Sequence, residues 1–503
     1  MYYRFQINYR VSFVQEFKLY IDGEWTESSS GETFDDINPA TLDKIGVIHK
    51  ASEDDVNAAA DSSEKAFPKW SSTPAPQRAK ILFSAARMLE ERKEELSRLM
   101  TIEMGKVLKE ARGDVQEAID ITYYAAGEGR RLFGETTPSE LPHKFCMTIR
   151  RPIGVVGLIT PWNFPVAIPA WKIMPALIAG NTIVLKPASD TPILSIELVK
   201  ILVEAGLPPG VLNLVMGEGS TVGSAIVRNS KIRAISFTGS LETGKWILGE
   251  AGKSMKKVSL ELGGKNPIIV MDDADIDLAV DGTIWGAFGT TGQRCTAASR
   301  VILHEKIHQE FQEKLIKRTK ELRLGSGLLD DVDVGPVINN AQLQKIGKYV
   351  EIGKNEGARL VLGGRIAKPL PGYFFEPTIF TDVSPDMRIA QEEIFGPVVS
   401  LIRAGDLDEA IDIANSVEYG LSSSIYTENI KNAFKAIEKI EAGITYINAS
   451  TIGAEIHLPF GGVKSTGNGT REGGSTAIDE FTEIKTVYID YSGKLQKAQI
   501  DVE

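Results

Sequence analysis

Cysteine is scarce in this sequence, with only Cys146 and Cys295 among 503 residues. A structural disulfide framework is therefore excluded, and the low cysteine content is typical of a protein in a reducing compartment. The sequence also lacks an apolar run long enough to cross a bilayer, and residues 1–16 lack the apolar core and cleavage site of a signal peptide. These absences predict a cytoplasmic protein with no membrane partner.

Positive charge is not in excess either. Lys and Arg total 56 against 67 Asp and Glu, so the formal net charge is −11, which argues against a nucleic-acid partner. Hydrophobic residues make up 43% and charged residues 24%, which is ordinary for a globular protein. The length predicts two or three domains.

Helical periodicity dominates the first part of the chain, after a hairpin turn predicted at Asp22-Gly23. The pattern predicts helices over 52–70, 76–100 and 106–131, and Ser52 is expected to cap the first of them. These helices precede the region where strand-like segments begin to alternate with helices.

Short apolar segments then alternate with helical ones from 154–160 to 267–270, and again from 300–303 to 422–426. Buried parallel strands between helices predict a doubly wound α/β sheet followed by a second α/β domain. The tail 485–491 alternates strongly and predicts an edge strand that pairs with another subunit.

Cys295 lies in a run of small and polar residues and directly follows Arg294. A sulfur nucleophile needs space for its substrate and a local field that favours the thiolate. Gly289, Gly292 and Ala297 leave that space. The alternative is a buried structural cysteine, which is also our interpretation of Cys146.

Two further motifs favour structural over metal-binding roles. His304 and His308 fit the H-E-x-x-H zinc signature, but His304 ends a predicted strand, and the signature requires both histidines on one helical face. The acidic run 272–277 lacks the glycine and terminal glutamate of an EF-hand and is better explained as a helix start. We therefore predict no metal site.

A series of segments occurs in an order that resembles the aldehyde dehydrogenase superfamily over residues 17–491. The segments are TPWNFP (160–165), LKP (185–187), FTGS (237–240) with Gly244, LELGG (260–264), GQRC (292–295), EEIFGP (392–397) and PFGG (459–462). Each segment alone is a weak signal, whereas the full ordered set is specific.

The resemblance implies an α/β architecture with a Rossmann-type cofactor domain, an α/β catalytic domain and a small β oligomerisation element. The corresponding residues are 17–134 and 154–264 for the cofactor domain, 265–477 for the catalytic domain, 135–153 and 478–503 for the oligomerisation element, and 1–16 for an N-terminal extension. It also implies a homodimer or homotetramer.

The resemblance further implies oxidation of an aldehyde to its carboxylic acid, with hydride transfer to NAD(P)+. Cys295 would attack the aldehyde as thiolate, giving a thiohemiacetal and then a thioester that water hydrolyses. Glu261 would be the general base, and Asn163 would donate to the oxyanion beside the Cys295 backbone N–H. Lys172 matches a family lysine near the reactive site. Each of these residues has an alternative, structural interpretation. Glu261 would be a solvent-exposed glutamate at a strand end, Asn163 would cap a turn, and Lys172 would be a surface lysine.

No G-x-G-x-x-G fingerprint occurs in the predicted sheet. Instead, residues 239–244 follow a strand and open a helix, an arrangement that can hold a pyrophosphate. The resemblance implies that the following residues bind or border the cofactor: Thr160, Pro161, Trp162, Lys186, Ala188, Ser189, Gly239, Ser240, Gly244, Leu262, Glu393 and Phe395.

Ser189 bears on cofactor choice. The family often has glutamate at this position, where it binds the ribose 2′-hydroxyl and repels a 2′-phosphate. Serine removes that repulsion, so we predict that NADP is accepted and preferred and that NAD is possible. Asp190 would restore some of the repulsion.

Arg294 suggests the substrate class. The antiquitin-like (α-aminoadipate semialdehyde) branch also reads Gly-Gln-Arg-Cys, and there the arginine binds the substrate's distal carboxylate; the 2-oxoglutarate semialdehyde branch is similarly close. By this resemblance Glu117 matches an acid that reads a substrate amino group, and Gly453, Ala454 and Phe460 complete the substrate site. The hypothesis is a small aldehyde with a distant carboxylate.

Other interpretations stay open at this point. Arg294 would alternatively be a structural hydrogen-bonder. Trp162 and Pro459 follow the general family pattern and not that of antiquitin. Glyceraldehyde or generic aldehydes are alternative substrates, and a catalytically silent structural relative is the non-enzyme alternative.

Overall fold

The computed structural model describes residues 15–368 and 370–500 and the backbone of the short strand at residues 3–4. The strands, in chain order, are β1 (Tyr3–Arg4), β2 (Gln15–Phe17), β3 (Leu19–Ile21), β4 (Glu24–Thr26), β5 (Thr33–Ile37), β6 (Lys44–His49), β7 (Thr136–Pro138), β8 (Lys144–Pro152), β9 (Val155–Ile159), β10 (Thr182–Lys186), β11 (Leu212–Leu214), β12 (Ile232–Thr238), β13 (Lys257–Glu261), β14 (Asn266–Val270), β15 (Ala298–His304), β16 (Leu324–Gly325), β17 (Arg359–Leu362), β18 (Thr378–Thr381), β19 (Val398–Ala404), β20 (Tyr419–Gly420), β21 (Ser422–Tyr426), β22 (Ile444–Ile447), β23 (Val463–Lys464) and β24 (Thr482–Asp490).

Helices separate these strands. They are α1 (Glu53–Ser72), α2 (Ala75–Glu91), α3 (Lys93–Glu103), α4 (Leu108–Glu128), α5 (Ala167–Ala179), α6 (Pro192–Glu204), α7 (Ser224–Arg228), α8 (Leu241–Gly252), α9 (Ile276–Phe288), α10 (His308–Thr319), α11 (Asn340–Asn355), α12 (Arg388–Gln391), α13 (Leu407–Asn415), α14 (Ile430–Lys439) and α15 (Thr476–Glu480). Across the described ranges, none of them has both the length and the apolar character needed to cross a membrane.

The first sheet has the order β13-β12-β9-β10-β11-β3-β4, and β9 to β13 run parallel. Strands β9 and β10 are buried throughout, because helices cover both faces of such a sheet. The chain winds outward from β9 through β10 and β11, then returns to β12 on the other side. This confirms the predicted doubly wound sheet, and the reversal between β9 and β12 creates a crevice at their carboxyl ends.

The second sheet has the order β17-β18-β19-β15-β14-β21-β22, with all neighbours parallel except the β17–β18 pair. The predicted second α/β alternation is therefore confirmed. A third, three-stranded sheet has the order β24-β8-β7, with β24 antiparallel to β8. The tail forms an edge strand as predicted, and no strand in the described part of the chain pairs with its outer edge.

Local signals explain several boundaries. Ser52 caps α1 through a capping box with Asp55, as expected. Asp275 caps α9 by accepting from Leu278 N, so the acidic run there is a helix start. His304 ends β15 and His308 begins α10, so the two histidines do not share a helical face.

The prediction of one helix over 76–100 was wrong. The chain forms α2 and α3 instead, with a break at Arg92, whose side chain binds Glu95 and Glu197. The break lets both helices pack on α4, so tertiary packing overrides a continuous helical pattern. Most of the expected 1–16 extension lies outside the described residues.

Candidate active site

The candidate nucleophile lies between the two large sheets. Glu261 is the last residue of β13 at the carboxyl edge of the first sheet, and Cys295 precedes β15 at the amino edge of the second. Asn266, the first residue of β14, holds the loop that carries Cys295. Its side-chain Nδ2 donates to the backbone carbonyls of Cys295 (2.8 Å) and Ala297 (2.9 Å).

A cavity of about 750 Å³, counting its open mouth, extends from Cys295. Its lining residues are Glu117, Phe164, Ile168, Trp171, Thr238, Glu261, Leu262, Arg294, Cys295, Thr296, Ile452, Gly453, Ala454, Phe460 and Glu472. The structure thus brings together the predicted nucleophile, the predicted base and all five predicted substrate residues. Cys295 is partly exposed and lines a cavity, in contrast to the buried Cys146 of β8.

A tight turn at Gly289–Gly292 delivers Cys295 to the cavity. Thr290 and Thr291 adopt left-handed φ angles of 50° and 58°. Gly292 also has a positive φ of 69°, and a Cβ there would lie 2.2 Å from the Gly396 carbonyl oxygen. Glycine at 292 is therefore required by a close approach of two backbones, in addition to leaving space for substrate.

Burial, with nearby Glu261 and Glu393, raises the pKa of Cys295 to about 12. The backbone N–H groups of Thr296 and Cys295 oppose this rise in the thiol pKa. The thiol is consequently protonated at neutral pH in the cofactor-free chain, and its reaction as a nucleophile requires removal of a proton.

Glu261 is only 3% exposed, so the solvent-exposed alternative is wrong. No group in the described chain hydrogen-bonds either of its carboxylate oxygens. Burial, followed by the charges of Glu472 and Glu480, raises its pKa well above the usual range. A buried carboxyl with a raised pKa and free oxygens suits a general base.

Lys172 is fully buried in α5 and is not a surface residue. Its Nζ donates to Ser236 Oγ at 2.8 Å and forms an ion pair with Glu472, which lines the cavity. Sequence reasoning missed Glu472, whose only local signal is its place after the PFGG segment.

Hydrogen bonds hold both the side chain and the backbone carbonyl of Asn163. Its side-chain Nδ2 donates to the Gln293 carbonyl at 3.0 Å, and its own carbonyl accepts from Lys106 Nζ at 2.8 Å. Lys106 also pairs with Asp114 at 2.8 Å, and all these groups are buried. An amide fixed in this way, with a second N–H available, suits an oxyanion donor. The anchoring pair of Lys106 and Asp114 was not predicted.

Two hydroxyls mark the crevice at the switch point of the first sheet. Thr160 follows β9 and Thr238 ends β12, and both Oγ1 atoms are buried without a hydrogen-bond partner in the described chain. Nearby, Lys186 is buried, donates to the Pro187 carbonyl at 3.0 Å, and has its pKa lowered to about 8 by burial. Unpaired polar groups here fit a polar ligand.

The other predicted cofactor residues differ in their contacts and exposure. Ser240 caps α8 beside Gly239, whereas Gly244 packs closely on Leu262, whose Cδ2 would lie 2.6 Å from a Cβ at position 244. Glu393 accepts from Gly264 N at 2.9 Å. Phe395 packs edge-on against Trp162, and Pro161 and Ala188 are each partly exposed.

Ser189 does not point freely into solvent, since its Oγ donates to the Gly217 carbonyl at 2.8 Å. Asp190 accepts from Asn339 Nδ2 at 2.9 Å. Burial raises the pKa of Asp190 above its usual range.

At the far end of the cavity, the Arg294 guanidinium lies between two aromatic rings. Its carbon is 4.9 Å from the Trp285 ring centroid and 5.4 Å from that of Phe164. Nearby, burial and the charge of Asp114 raise the pKa of Glu117 to about 8. A cationic planar group held against aromatic rings is suited to binding a carboxylate.

Comparisons with known proteins are consistent with this geometry. The model of the aldehyde dehydrogenase family matches residues 25–487. The chain is 45% identical over 475 residues to an alpha-ketoglutaric semialdehyde dehydrogenase of Bacillus subtilis, covering 93% of this chain and 97% of that protein. Among solved structures, a betaine aldehyde dehydrogenase of Staphylococcus aureus in complex with NAD+ superposes with a TM-score of 0.93 at 37% identity, covering 95% and 96% of the two chains. An E. coli NADP-dependent enzyme gives 0.92 at 39% identity, covering 94% and 98%.

Proposed function

The chain belongs to the aldehyde dehydrogenase family, and we propose that it oxidises a small aldehyde with a distant carboxylate, using Cys295 as nucleophile and NADP+ or NAD+ as hydride acceptor. Oxidation of aldehydes to acids follows from the family. The observation that carries the finer proposal is the single cavity in which Cys295, Glu261 and Arg294 meet.

The reaction begins when the Cys295 thiol proton passes to solvent water and Sγ forms a bond to the aldehyde carbon, while the carbonyl π electrons move to the aldehyde oxygen. The oxyanion of the resulting thiohemiacetal accepts from Asn163 Nδ2 and the Cys295 backbone N–H. A bound nicotinamide would supply the acceptor for the hydride of the substrate carbon, and Cys295 would then hold the acyl group as a thioester. Glu261 then removes a proton from water, which attacks the thioester carbon, releasing the acid and restoring the thiol.

We assign cofactor binding to residues 17–134 and 154–264. The unpaired hydroxyls of Thr160 and Thr238 and the buried Lys186 support this assignment. The related structures bind NAD+ in one case and depend on NADP in another. A serine at 189, together with the engaged Asp190, favours acceptance of the 2′-phosphate.

Replacing Ser189 by glutamate is expected to lower kcat/KM for NADP by about tenfold or more, relative to NAD. The new carboxylate would repel the 2′-phosphate and bind the 2′-hydroxyl. Initial rates with both cofactors test this, with Ser189→Ala as a matched control that removes the hydroxyl without adding charge. An unchanged NADP/NAD ratio in the glutamate variant would contradict the assignment.

The substrate proposal rests on Arg294, and the Bacillus subtilis relative is named for a semialdehyde that carries a carboxylate. Arg294→Ala is expected to raise KM for succinate semialdehyde by roughly 10–100-fold, since a hydrogen bond to a charged group contributes about 1.5–3 kcal/mol. KM for butanal, which has the same chain length without the carboxylate, is expected to change by less than about twofold. Equal changes for both aldehydes would make Arg294 a structural residue.

The ionisation of Glu117 is expected to make the preference for carboxylate-bearing aldehydes depend on pH. Its pKa of about 8 means that the carboxyl is neutral at pH 7 and ionises as pH rises through 8. Ionised Glu117 would weaken binding of a carboxylate at Arg294, so KM for succinate semialdehyde should rise roughly 3–10-fold between pH 7 and 9. KM for butanal should not follow, and Glu117→Gln should abolish the difference. A flat KM profile in the wild type would contradict this role.

We assign residues 265–477, which contain Cys295, as the catalytic domain, completed by Glu261 and Asn163 of the neighbouring domain, and we assign self-association to 135–153 and 478–503. The free outer edge of β24 and its exposed Ile484 (58%) and Tyr488 (68%) support an interface with a second copy, as dimer or tetramer. Light scattering tests this, and a monomeric mass at micromolar concentration would refute it.

A further inference from the structure

Glu110 lies behind the substrate cavity, in the first turn of α4, and is buried. Its carboxylate accepts from Thr290 N at 2.8 Å (Oε1) and from Thr290 Oγ1 at 3.3 Å (Oε2). Both oxygens are thus engaged by one residue of the turn that leads to Cys295. The cavity lining contains neither Glu110 nor Thr290, so any effect on substrate must act through another residue.

Thr290 needs such support. It is β-branched and adopts a φ of 50°, a region that β-branched side chains disfavour. Glu110 satisfies both its backbone N–H and its hydroxyl, which opposes the intrinsic preference of the residue for another conformation. The turn geometry therefore depends on the contact between α4 and residue 290.

The Thr290 hydroxyl also contacts Arg294. Its Oγ1 accepts from Arg294 Nε at 2.8 Å while donating to Glu110, so the directions of the two hydrogen bonds are compatible. Arg294 Nη2 lies 3.6 Å from Glu110 Oε1. Nε thus faces Thr290, and Nη2 faces Glu110. The N–H groups of Nη1 and the second N–H of Nη2 remain for a ligand in the cavity.

We propose that Glu110 and Thr290 form a clamp that positions Arg294 and thereby sets the selectivity for carboxylate-bearing aldehydes. This inference rests on the proposed role of Arg294. The rings of Phe164 and Trp285 contact the guanidinium, and the hydrogen bonds of the clamp fix the direction of its Nε and Nη2 groups. Glu110 and Thr290 are positioning residues and do not touch the substrate.

The test is the ratio of KM for succinate semialdehyde to KM for butanal. Thr290→Val removes the hydroxyl and keeps the shape of the side chain. This variant is expected to raise the KM ratio about tenfold, because one charge-assisted hydrogen bond is lost. Thr290→Ser restores a hydroxyl and should return the ratio to within about twofold of wild type. A general disturbance of the turn would move both KM values together and leave the ratio unchanged.

Thr291 supplies the matched control. It lies in the same turn with a φ of 58°, but its hydroxyl donates to the Gly335 carbonyl and not to Arg294 or Glu110. Thr291→Val should leave the KM ratio unchanged. If the valine variant at 290 does not fold, Thr290→Gly removes the same hydroxyl and suits the positive φ, with Thr291→Gly as its control.

The outcomes separate the clamp from the substrate assignment when Arg294→Ala is measured alongside. If Arg294→Ala raises the KM ratio but Thr290→Val and Thr290→Gly do not, the clamp is wrong and the proposed function stands. If the 291 variants raise the ratio as much as the 290 variants, the clamp is also wrong. If Arg294→Ala itself leaves the ratio unchanged, the proposed substrate class fails.

Discussion

Cys295→Ala is expected to lower kcat for aldehyde oxidation by at least about 10⁴-fold, because it removes the atom that forms both covalent intermediates. Asn163 and Glu261 would remain in place but would have no bonded substrate to act on. Initial rates of NADPH or NADH formation measure this loss, with the protein at high concentration so that a very low turnover can be detected.

The chain offers a matched control for this experiment. Cys146, the other cysteine, lies in β8 opposite Tyr488 in the small sheet and is 7% exposed. Cys146→Ala should retain wild-type kcat within about twofold. Thermal unfolding of Cys295→Ala should match the wild type, since the residue is partly exposed at a cavity. Residual activity above about one per cent in Cys295→Ala would contradict the assignment of the nucleophile.

Glu261→Gln is expected to lower steady-state kcat by about 10²–10³-fold, within the usual contribution of a general base. The amide keeps the shape of the side chain but cannot take a proton from water. Thioester hydrolysis should then limit the rate, and a burst of NADPH equal to the concentration of active sites should precede slow turnover. Stopped-flow absorbance measures the burst and the steady rate in one trace.

Glu480 provides the comparison for Glu261. It is also buried, and burial with the charge of Glu472 raises its pKa to about 8, but it does not line the cavity. Glu480→Gln should change kcat by less than about tenfold. A Glu261→Gln variant with a kcat similar to that of Glu480→Gln would contradict the role of Glu261 as base.

Much of this site was predictable from the sequence because its residues lie in short segments whose backbone conformation is determined by neighbouring residues. Cys295 follows a glycine-containing turn, and Gly292 is required there by the approach of the Gly396 carbonyl. Likewise, Ser52 and Asp55 form a capping box within one turn of α1. In each case the interacting groups are close in sequence, so a local pattern carries the information.

Lys172 was predicted as a site residue, but the contacts of the supporting side chains were missed because they join residues far apart in the sequence. Lys106 contacts the Asn163 carbonyl 57 residues away, and Lys172 pairs with Glu472 300 residues away. Glu110 and Thr290 are 180 residues apart. Each of these side chains would be typical of a surface helix or loop, and only the tertiary structure, in which α4 packs on α5 and α5 packs on β9 and β10 of the first sheet, shows that they are buried partners.

The central claim is that this enzyme selects aldehydes with a distant carboxylate. The most direct measurement is kcat/KM for a panel of 2-oxoglutarate semialdehyde, α-aminoadipate semialdehyde, succinate semialdehyde, glyceraldehyde and acetaldehyde, with NADP+ and NAD+ and with Cys295→Ala as control. We expect kcat/KM for one of the carboxylated semialdehydes to exceed that for acetaldehyde by at least about 100-fold. A panel in which all aldehydes, charged and uncharged, fall within a few-fold of one another would contradict it.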